Sequence, residues 1–254
     1  MITEYRHENG LVELVVENPP VNAFSIADIR ALTAHLRSYT DDTTVHAVLL
    51  RSEGRGFCGG GDVKEVQGMP GFEGILGQAH GSYGLTLAIA DCPVPVVAAV
   101  HQYCIGIGVL VAGVCDIVLA SPGTSFVLAE ADNGATSGPI QAIGLIPDKR
   151  LRAAMFTCEP IFAEELHQYG SILAIVEEAG LVEAARSTAD TICAKRPNVI
   201  RGLKASMAGS IGRDIKTLYR QELSYTYELN MSGDATAARG DFVDGRRQGY
   251  RDRA

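Results

Sequence analysis

Apolar and polar positions alternate first near the N-terminus. Ile2–His7 and Leu11–Val16 flank Glu8-Asn9-Gly10. Two half-buried runs around an Asn-Gly pair predict a β-hairpin. Pro19 and Pro20 forbid helix just beyond it, and Ser25 is placed to cap a helix reaching about Ser38. Ile26, Ile29, Leu32 and Leu36 then fall on one face of that helix. Val45–Arg51 has the unbroken apolar character of a buried strand. Residues 64–92 read as a glycine-rich loop followed by a helix ending near Cys92.

The central stretch, Pro93–Gly134, organises the chain. A Val/Ala-rich run ends at Val100, and Gly106-Ile107-Gly108 then opens a short apolar helix. A second buried strand follows through Ala120, then a Pro-Gly turn, then Phe126–Gly134. Further on, helices are expected after Ala135-Thr-Ser-Gly-Pro139, over 149–157, over Ala163–Gly170 and over Glu178–Lys195, with a strand at Ile172–Val176. Beyond Arg196-Pro197 the pattern is helical only, including Arg213–Met231. Mixed elements followed by helices alone predict an α/β core over 1–195 and a C-terminal helical region over 196–254. The basic tail from Gly245 is expected to be solvated or ligand-facing.

Composition narrows the possibilities. Of 254 residues, 46% are hydrophobic, enough for a sizeable core, and the net charge is −8. That charge argues against a general nucleic-acid binder. No charged-then-apolar leader and no membrane-length apolar run is present, so a cytoplasmic protein without membrane association is expected. Cys58, Cys92, Cys104, Cys115, Cys158 and Cys193 form no CxxC pair, and reduced, buried thiols are expected rather than a disulfide or zinc framework.

Candidate chemistry comes from glycines and acids. Gly59-Gly60-Gly61 is costly to order, which suits close backbone approach to a ligand, or else a linker. Gly106-Ile107-Gly108 puts backbone N–H groups at a helix start, and Glu130 is the only glutamate in Pro93–Gly134. Together they suit oxyanion stabilisation beside a proton-transfer group. Gly106-x-Gly108 after a strand also admits a dinucleotide oxidoreductase, but the third glycine is displaced to Gly113. His101 reads as a structural histidine or a general base. Ser137 and Cys104 have no histidine paired in sequence, and Tyr225 and Tyr227 read as packing residues or as acyl-pocket lining.

Six segments in order carry a resemblance: Asn18–Ala23, Gly54-Arg-Gly-Phe-Cys-Gly-Gly-Gly-Asp-Val-Lys-Glu65, Pro95–Val100, Gly106–Gly108, Cys115–Ala120 and Phe126–Gly134. The chain resembles the enoyl-CoA hydratase/isomerase, or crotonase, superfamily over nearly its whole length. That resemblance implies a spiral of repeated β-β-α units with C-terminal helices that cover the site and build a homotrimer or hexamer. It implies an acyl-CoA thioester substrate, with CoA belonging to the substrate and no further cofactor or metal. The backbone N–H groups of Gly61 and Ile107 would form the oxyanion hole. Asn22, Ala23, Phe24, Gly59, Gly60, Asp62 and Val63 would shape the CoA channel, and Arg55 would meet the CoA phosphates or stay solvated.

One departure from the family pattern matters. Hydratases of the family use two glutamates; the first falls on Leu110 and the second on Glu130. One-acid chemistry by Glu130 is therefore favoured over two-acid hydration. It would be double-bond isomerisation or retro-Claisen hydrolysis of a cyclic β-keto-acyl-CoA. A hydratase with a substituted acid and a non-catalytic CoA-binding subunit are the alternatives. Asp132, two residues on, would either share the site with Glu130 or cap the turn with Asn133 and Gly134. It and the segment Tyr219–Gly233 resemble mycobacterial crotonases that open steroid-derived rings.

Overall fold

The computed structural model describes residues 1–210 and 214–246. In chain order the first half contains β1 (Ile2–Arg6), β2 (Leu11–Val16), α1 (Ile26–Ser38), β3 (Ala47–Ser52), α2 (Val63–Gly68), α3 (Glu73–Ala90), β4 (Val96–Val100), β5 (Tyr103–Ile105), α4 (Ile107–Val114), β6 (Ile117–Ala120) and β7 (Ser125–Val127). A 3-10 turn at Ala131–Asn133 precedes α5 (Pro139–Ala142), α6 (Asp148–Thr157), β8 (Ile161–Phe162), α7 (Ala163–Gln168), β9 (Ala174–Ile175), α8 (Glu178–Cys193), α9 (Pro197–Ser210), α10 (Ile215–Ser232) and α11 (Asp234–Val243).

The main sheet runs β1-β2-β3-β4-β6-β9. β1 and β2 pair antiparallel as the hairpin, and the rest pair in parallel. All six residues of β2 are buried, as expected for a parallel sheet covered on both faces. Period-2 alternation then assigns the faces. Leu14, Val16, Leu50, Ala98 and Val118 point toward α1, α3 and α4; Leu11, Leu49, Val97 and Leu119 point toward Leu181, Ala185 and Ala189 of α8. A smaller sheet, β5-β7-β8, carries the segment that turns into α4.

Local signals explain several boundaries. Ser25 Oγ accepts from Asp28 N at 3.1 Å while Asp28 accepts from Ser25 N at 3.2 Å, a reciprocal cap that starts α1. Asp62 starts α2 in the same spirit, accepting from Lys64 N and Glu65 N at 3.0 Å each. The loop expected after residue 64 is therefore helix α2 plus a short break. The helix expected after Ala135–Pro139 is the single turn α5, because Leu145-Ile146-Pro147 turns the chain at once. All six cysteines are free thiols. Among the described residues no helix is long and apolar enough to cross a membrane, and no group of three or more His, Cys, Asp or Glu is arranged to hold a metal.

The C-terminal helices fold back over the core. α10 packs on α3 and α5, and α11 packs on α2 and the 3-10 turn. Arg213 and the basic tail from residue 247 lie outside the described residues.

Candidate active site

The turn from β5 into α4 is built by Gly106, whose φ of 50° and ψ of −117° exclude an L side chain at low cost. Gly106 N donates to Val127 O at 2.8 Å, and Ile105 N donates to Cys58 O at 2.9 Å. These bonds draw the Gly59–Gly61 segment against the start of α4. A Cβ on Gly106 would lie 3.9 Å from the Gly60 Cα. The Gln78 amide packs where a Gly61 side chain would begin, 1.5 Å from an ideal Cβ, so Gln78 would have to move to admit one. Among the described residues no acceptor meets Gly61 N–H or Ile107 N–H, and both residues line one cavity of about 480 Å³. Both donors thus belong to residues of one cavity wall, and Ile107 adds the positive end of α4.

Glu130 enters the same cavity from the end of the β7 segment. It is 6% exposed, and its Oε2 has no hydrogen-bond partner among the described residues. Burial raises its pKa to about 8, opposed by its own backbone N–H and reinforced by the negative Glu222. The carboxyl is thus poised near neutrality, where one group serves as base and acid. Leu110, one helical turn after Ile107, lines the cavity where the family pattern calls for a second acid. It packs within 2.8 Å of an ideal Cβ at Gly138, whose φ is 124°. Hydrocarbon occupies that flank of Glu130.

Two residues of α10 complete the surroundings. Glu222 accepts from Gly138 N and Ile140 N at 2.9 Å each, fixing the loop beside Glu130. Burial raises its pKa too, opposed by those two donors. Tyr219 is buried and lines the cavity; burial drives its pKa upward, Glu222 and Glu130 add to the shift, and the hydroxyls of Ser82 and Ser137 oppose it.

The structure brings together Gly61, Ile107 and Glu130, and places Ala23, Gly59, Gly60, Asp62 and Val63 on the cavity wall. It separates others from it. Asn22 is buried behind the wall with φ 52°, its amide donating to Glu53 O and Gly56 O at 2.7 Å each. Phe24 is core, joined through its backbone to Gly60 O and Asp62 N. These two residues support the glycine segment rather than line the channel. Arg55 is exposed and away from the cavity. Asp132 is a half-buried residue of the 3-10 turn and is not among the residues that line the cavity. The acid that acts on Glu130 electrostatically is Glu222 instead. His101 Nε2 donates to Gly54 O at 3.1 Å in a structural contact. Ser137 lines the cavity as a partner of Tyr219, while Cys104 is buried in the core. Tyr225 is exposed, and Tyr227 packs against the buried cluster of Tyr219 and Leu223.

Sequence reading missed Tyr219, Glu222, Thr226 and Arg239. A signal was present: Tyr219, Leu223, Thr226 and Asn230 repeat at helical spacing and are all buried, so α10 turns polar groups inward.

Comparison with known proteins agrees with this geometry. The Enoyl-CoA hydratase/isomerase family profile matches residues 6–253. A "(7aS)-7a-methyl-1,5-dioxo-2,3,5,6,7,7a-hexahydro-1H-indene-carboxyl-CoA hydrolase" from Rhodococcus jostii (strain RHA1) is 35% identical over 243 residues, covering 96% of this chain and 94% of that protein. The protein of the same name from Mycobacterium tuberculosis (strain ATCC 25618 / H37Rv) is 36% identical over 248 residues, covering 95% and 98%. The crystal structure of an enoyl-CoA hydratase/isomerase from Mycobacterium paratuberculosis superposes with a TM-score of 0.87 at 19% identity, covering 94% of this chain and 97% of that one. That structure shares the fold. With its sequence pattern, its fold and two unpaired N–H donors beside a buried glutamate, the chain belongs to the enoyl-CoA hydratase/isomerase family and is an enzyme of that family.

Proposed function

We propose that the protein opens a carbon–carbon bond of a cyclic β-keto-acyl-CoA by hydrolysis, with Glu130 as the one proton-transfer group. The observation that carries this is the composition of the cavity wall. One carboxyl with a pKa of about 8 faces two free N–H groups, and Leu110 stands where a hydratase of the family has its other acid. The names of the two curated relatives, both hydrolases of a dioxo bicyclic carboxyl-CoA, support the substrate class.

Glu130, as carboxylate, takes a proton from water as the oxygen adds to the ring carbonyl β to the thioester. The bond between that carbon and the α-carbon breaks, and its electron pair moves onto the thioester as an enolate. Gly61 and Ile107 N–H groups hold the enolate oxygen; such donors are worth about 3–4 kcal/mol each in other enzymes. Glu130 then returns the proton to the α-carbon. One water is consumed, a carboxylic acid appears, and no electrons leave the system. The CoA belongs to the substrate, and the reading requires no other cofactor and no metal.

A cytoplasmic homotrimer or hexamer accompanies this reading. Exposed Val199, Leu203 and Met207 lie at four-residue spacing along α9 and support assembly through it. Light scattering of the purified protein checks the assembly.

The chemistry is tested by incubation with 2-enoyl-, 3-enoyl- and cyclic β-keto-acyl-CoA thioesters in H₂¹⁸O. The expected product is ring-opened, with the label in a new carboxylate. Labelled hydroxyl without ring opening, or an unlabelled product with a migrated double bond, overturns the proposal in favour of hydration or isomerisation.

A further inference from the structure

One cation in the cavity is unexplained by the reaction above. Arg239, on α11, is 8% exposed and lines the cavity. Its hydrogen bonds go only to neutral acceptors: Nε to Gln67 Oε1 at 3.1 Å, and one terminal nitrogen to Asn230 Oδ1 at 2.9 Å and Thr236 Oγ1 at 3.5 Å. No carboxylate lies within ion-pair distance of it among the described residues. Two other buried charged residues are paired. Glu13 has Arg51 and Arg186, and Lys204 has Asp116 at 2.5 Å. Burial lowers the Arg239 pKa, yet a guanidinium stays charged at any physiological pH. A desolvated cation without a counter-charge is costly unless a ligand supplies one.

The guanidinium is also held in place. Asn230 Nδ2 donates to Thr226 O at 2.8 Å, which turns the Asn230 oxygen toward Arg239. With Nε and one terminal nitrogen engaged, the other terminal nitrogen has no partner among the described residues. Val63, Val66, Leu223 and Phe242 share the cavity wall with it, together with the polar Lys64, Asn133 and Thr226.

We propose that Arg239 selects acyl groups that present an oxygen at their distal end. In the ring-opened product that oxygen belongs to the new carboxylate, which ends the acyl chain once the bond to the α-carbon has broken. This rests on the acyl-CoA reading above, and extends it by naming the residue that recognises the far end of the acyl group. Arg239 takes no proton and forms no covalent bond; it sets specificity for the end of the acyl group.

Binding is the test, because it does not require turnover. Carboxylate-terminated succinyl-, glutaryl- and adipoyl-CoA are titrated calorimetrically against butanoyl-, pentanoyl- and hexanoyl-CoA of equal length. The wild-type protein is expected to prefer the carboxylate at one or more lengths by about tenfold or more, the worth of a charge-assisted hydrogen bond. In Arg239→Met and Arg239→Gln the preference is expected to fall to within about twofold, while butanoyl-, pentanoyl- and hexanoyl-CoA still bind as tightly as before. Arg239→Gln keeps groups that reach Gln67 and Asn230, so it preserves the fold if the methionine variant does not. Arg239→Lys keeps the charge and is expected to retain part of the preference. Equal wild-type affinity at all three lengths, or a preference that survives in the glutamine variant, overturns the proposal. Failure of all six thioesters to bind defeats the acyl-CoA reading itself. Ring-opening activity does not enter, so loss of that reaction alone leaves this result readable.

Discussion

Two buried glutamates in this molecule behave oppositely. Glu13, in the middle of β2, is 1% exposed; Glu130 is 6% exposed. Burial pushes both carboxyls up. At Glu13, hydrogen bonds from Arg186 and Arg51 outweigh burial and hold the pKa at about 2. Arg51 Nε lies 2.9 Å from Oε2, Arg186 donates to both oxygens, and His7 Nε2 is 3.0 Å from Oε1. At Glu130 no cation answers, Glu222 adds a negative charge, and the pKa stands at about 8. Two carboxyls of low exposure thus differ: one is an anion that ties β2, β3 and α8 together, the other a carboxyl of raised pKa on the cavity wall. Glu13 has two arginines to set against its burial, and Glu130, the more deeply desolvated of the two, has none.

The largest expected effect separates the two by function. Glu130→Gln should cut turnover by about 10²–10⁴-fold, as loss of a general acid–base does. CoA-thioester affinity, measured by calorimetry, should stay within a few fold. If the variant turns over at the wild-type rate, Glu130 is not the proton carrier.

The same substitution should reverse in sign as a stability effect. Glu130 has a folded pKa near 8 against an ordinary 4.5, so the folded state binds the extra proton between those values. Its contribution is full below about pH 4.5 and is lost as pH rises through about 8, by at most ~5 kcal/mol. Urea titrations at pH 5 and 9 should show Glu130→Gln gaining on the wild type at the higher pH. Glu13 has the opposite dependence: its stabilisation is present above the ordinary carboxylate range and is lost as pH falls toward about 2. Glu13→Gln leaves Arg51 and Arg186 without a full counter-charge. It should destabilise the fold by about 3–5 kcal/mol in urea denaturation, while turnover per folded molecule is retained.

A smaller effect reads the Glu130 proton in the working enzyme. If Glu130 acts first as a base, kcat/KM should rise about tenfold from pH 7 to a plateau above about pH 8. A decline across that range would mean that the protonated form starts the reaction. The least effect belongs to Glu222→Gln. Removing that charge should move the rise to lower pH by less than about one unit, since burial is the larger cause of the Glu130 shift. An unmoved profile would show that Glu222 acts only through the Gly138 loop.

Legibility followed the range of the interactions. The hairpin, α1 with its Ser25 cap, β3 and α8 were readable because turn chemistry and apolar period are local. Glu130, Gly61 and Ile107 could be named because each falls in a short segment that matches the family pattern. Asp132 was named as a companion of Glu130 by nearness in sequence, and it sits in the 3-10 turn, not among the residues that line the cavity. Asn22 and Phe24 lie in the right segment with their side chains turned away from the cavity, and alternation along an irregular loop cannot be read in advance. Glu222 and Arg239 come from helices 92 and 109 residues beyond Glu130, and nothing local marks them as its neighbours.

By itself the sequence determined most of the elements, the α/β class, the two glycine segments and the presence of Glu130 with Leu110 in place of an acid. Those properties depend on backbone geometry and on which atoms a side chain owns. Only the tertiary structure decided that Glu130 lies among hydrocarbon without a cation while Glu13 lies between two arginines. It also decided that α10 and α11 bring Glu222, Tyr219 and Arg239 to the site. A pKa and an unpaired charge are sums over neighbours in space, and packing alone chooses those neighbours.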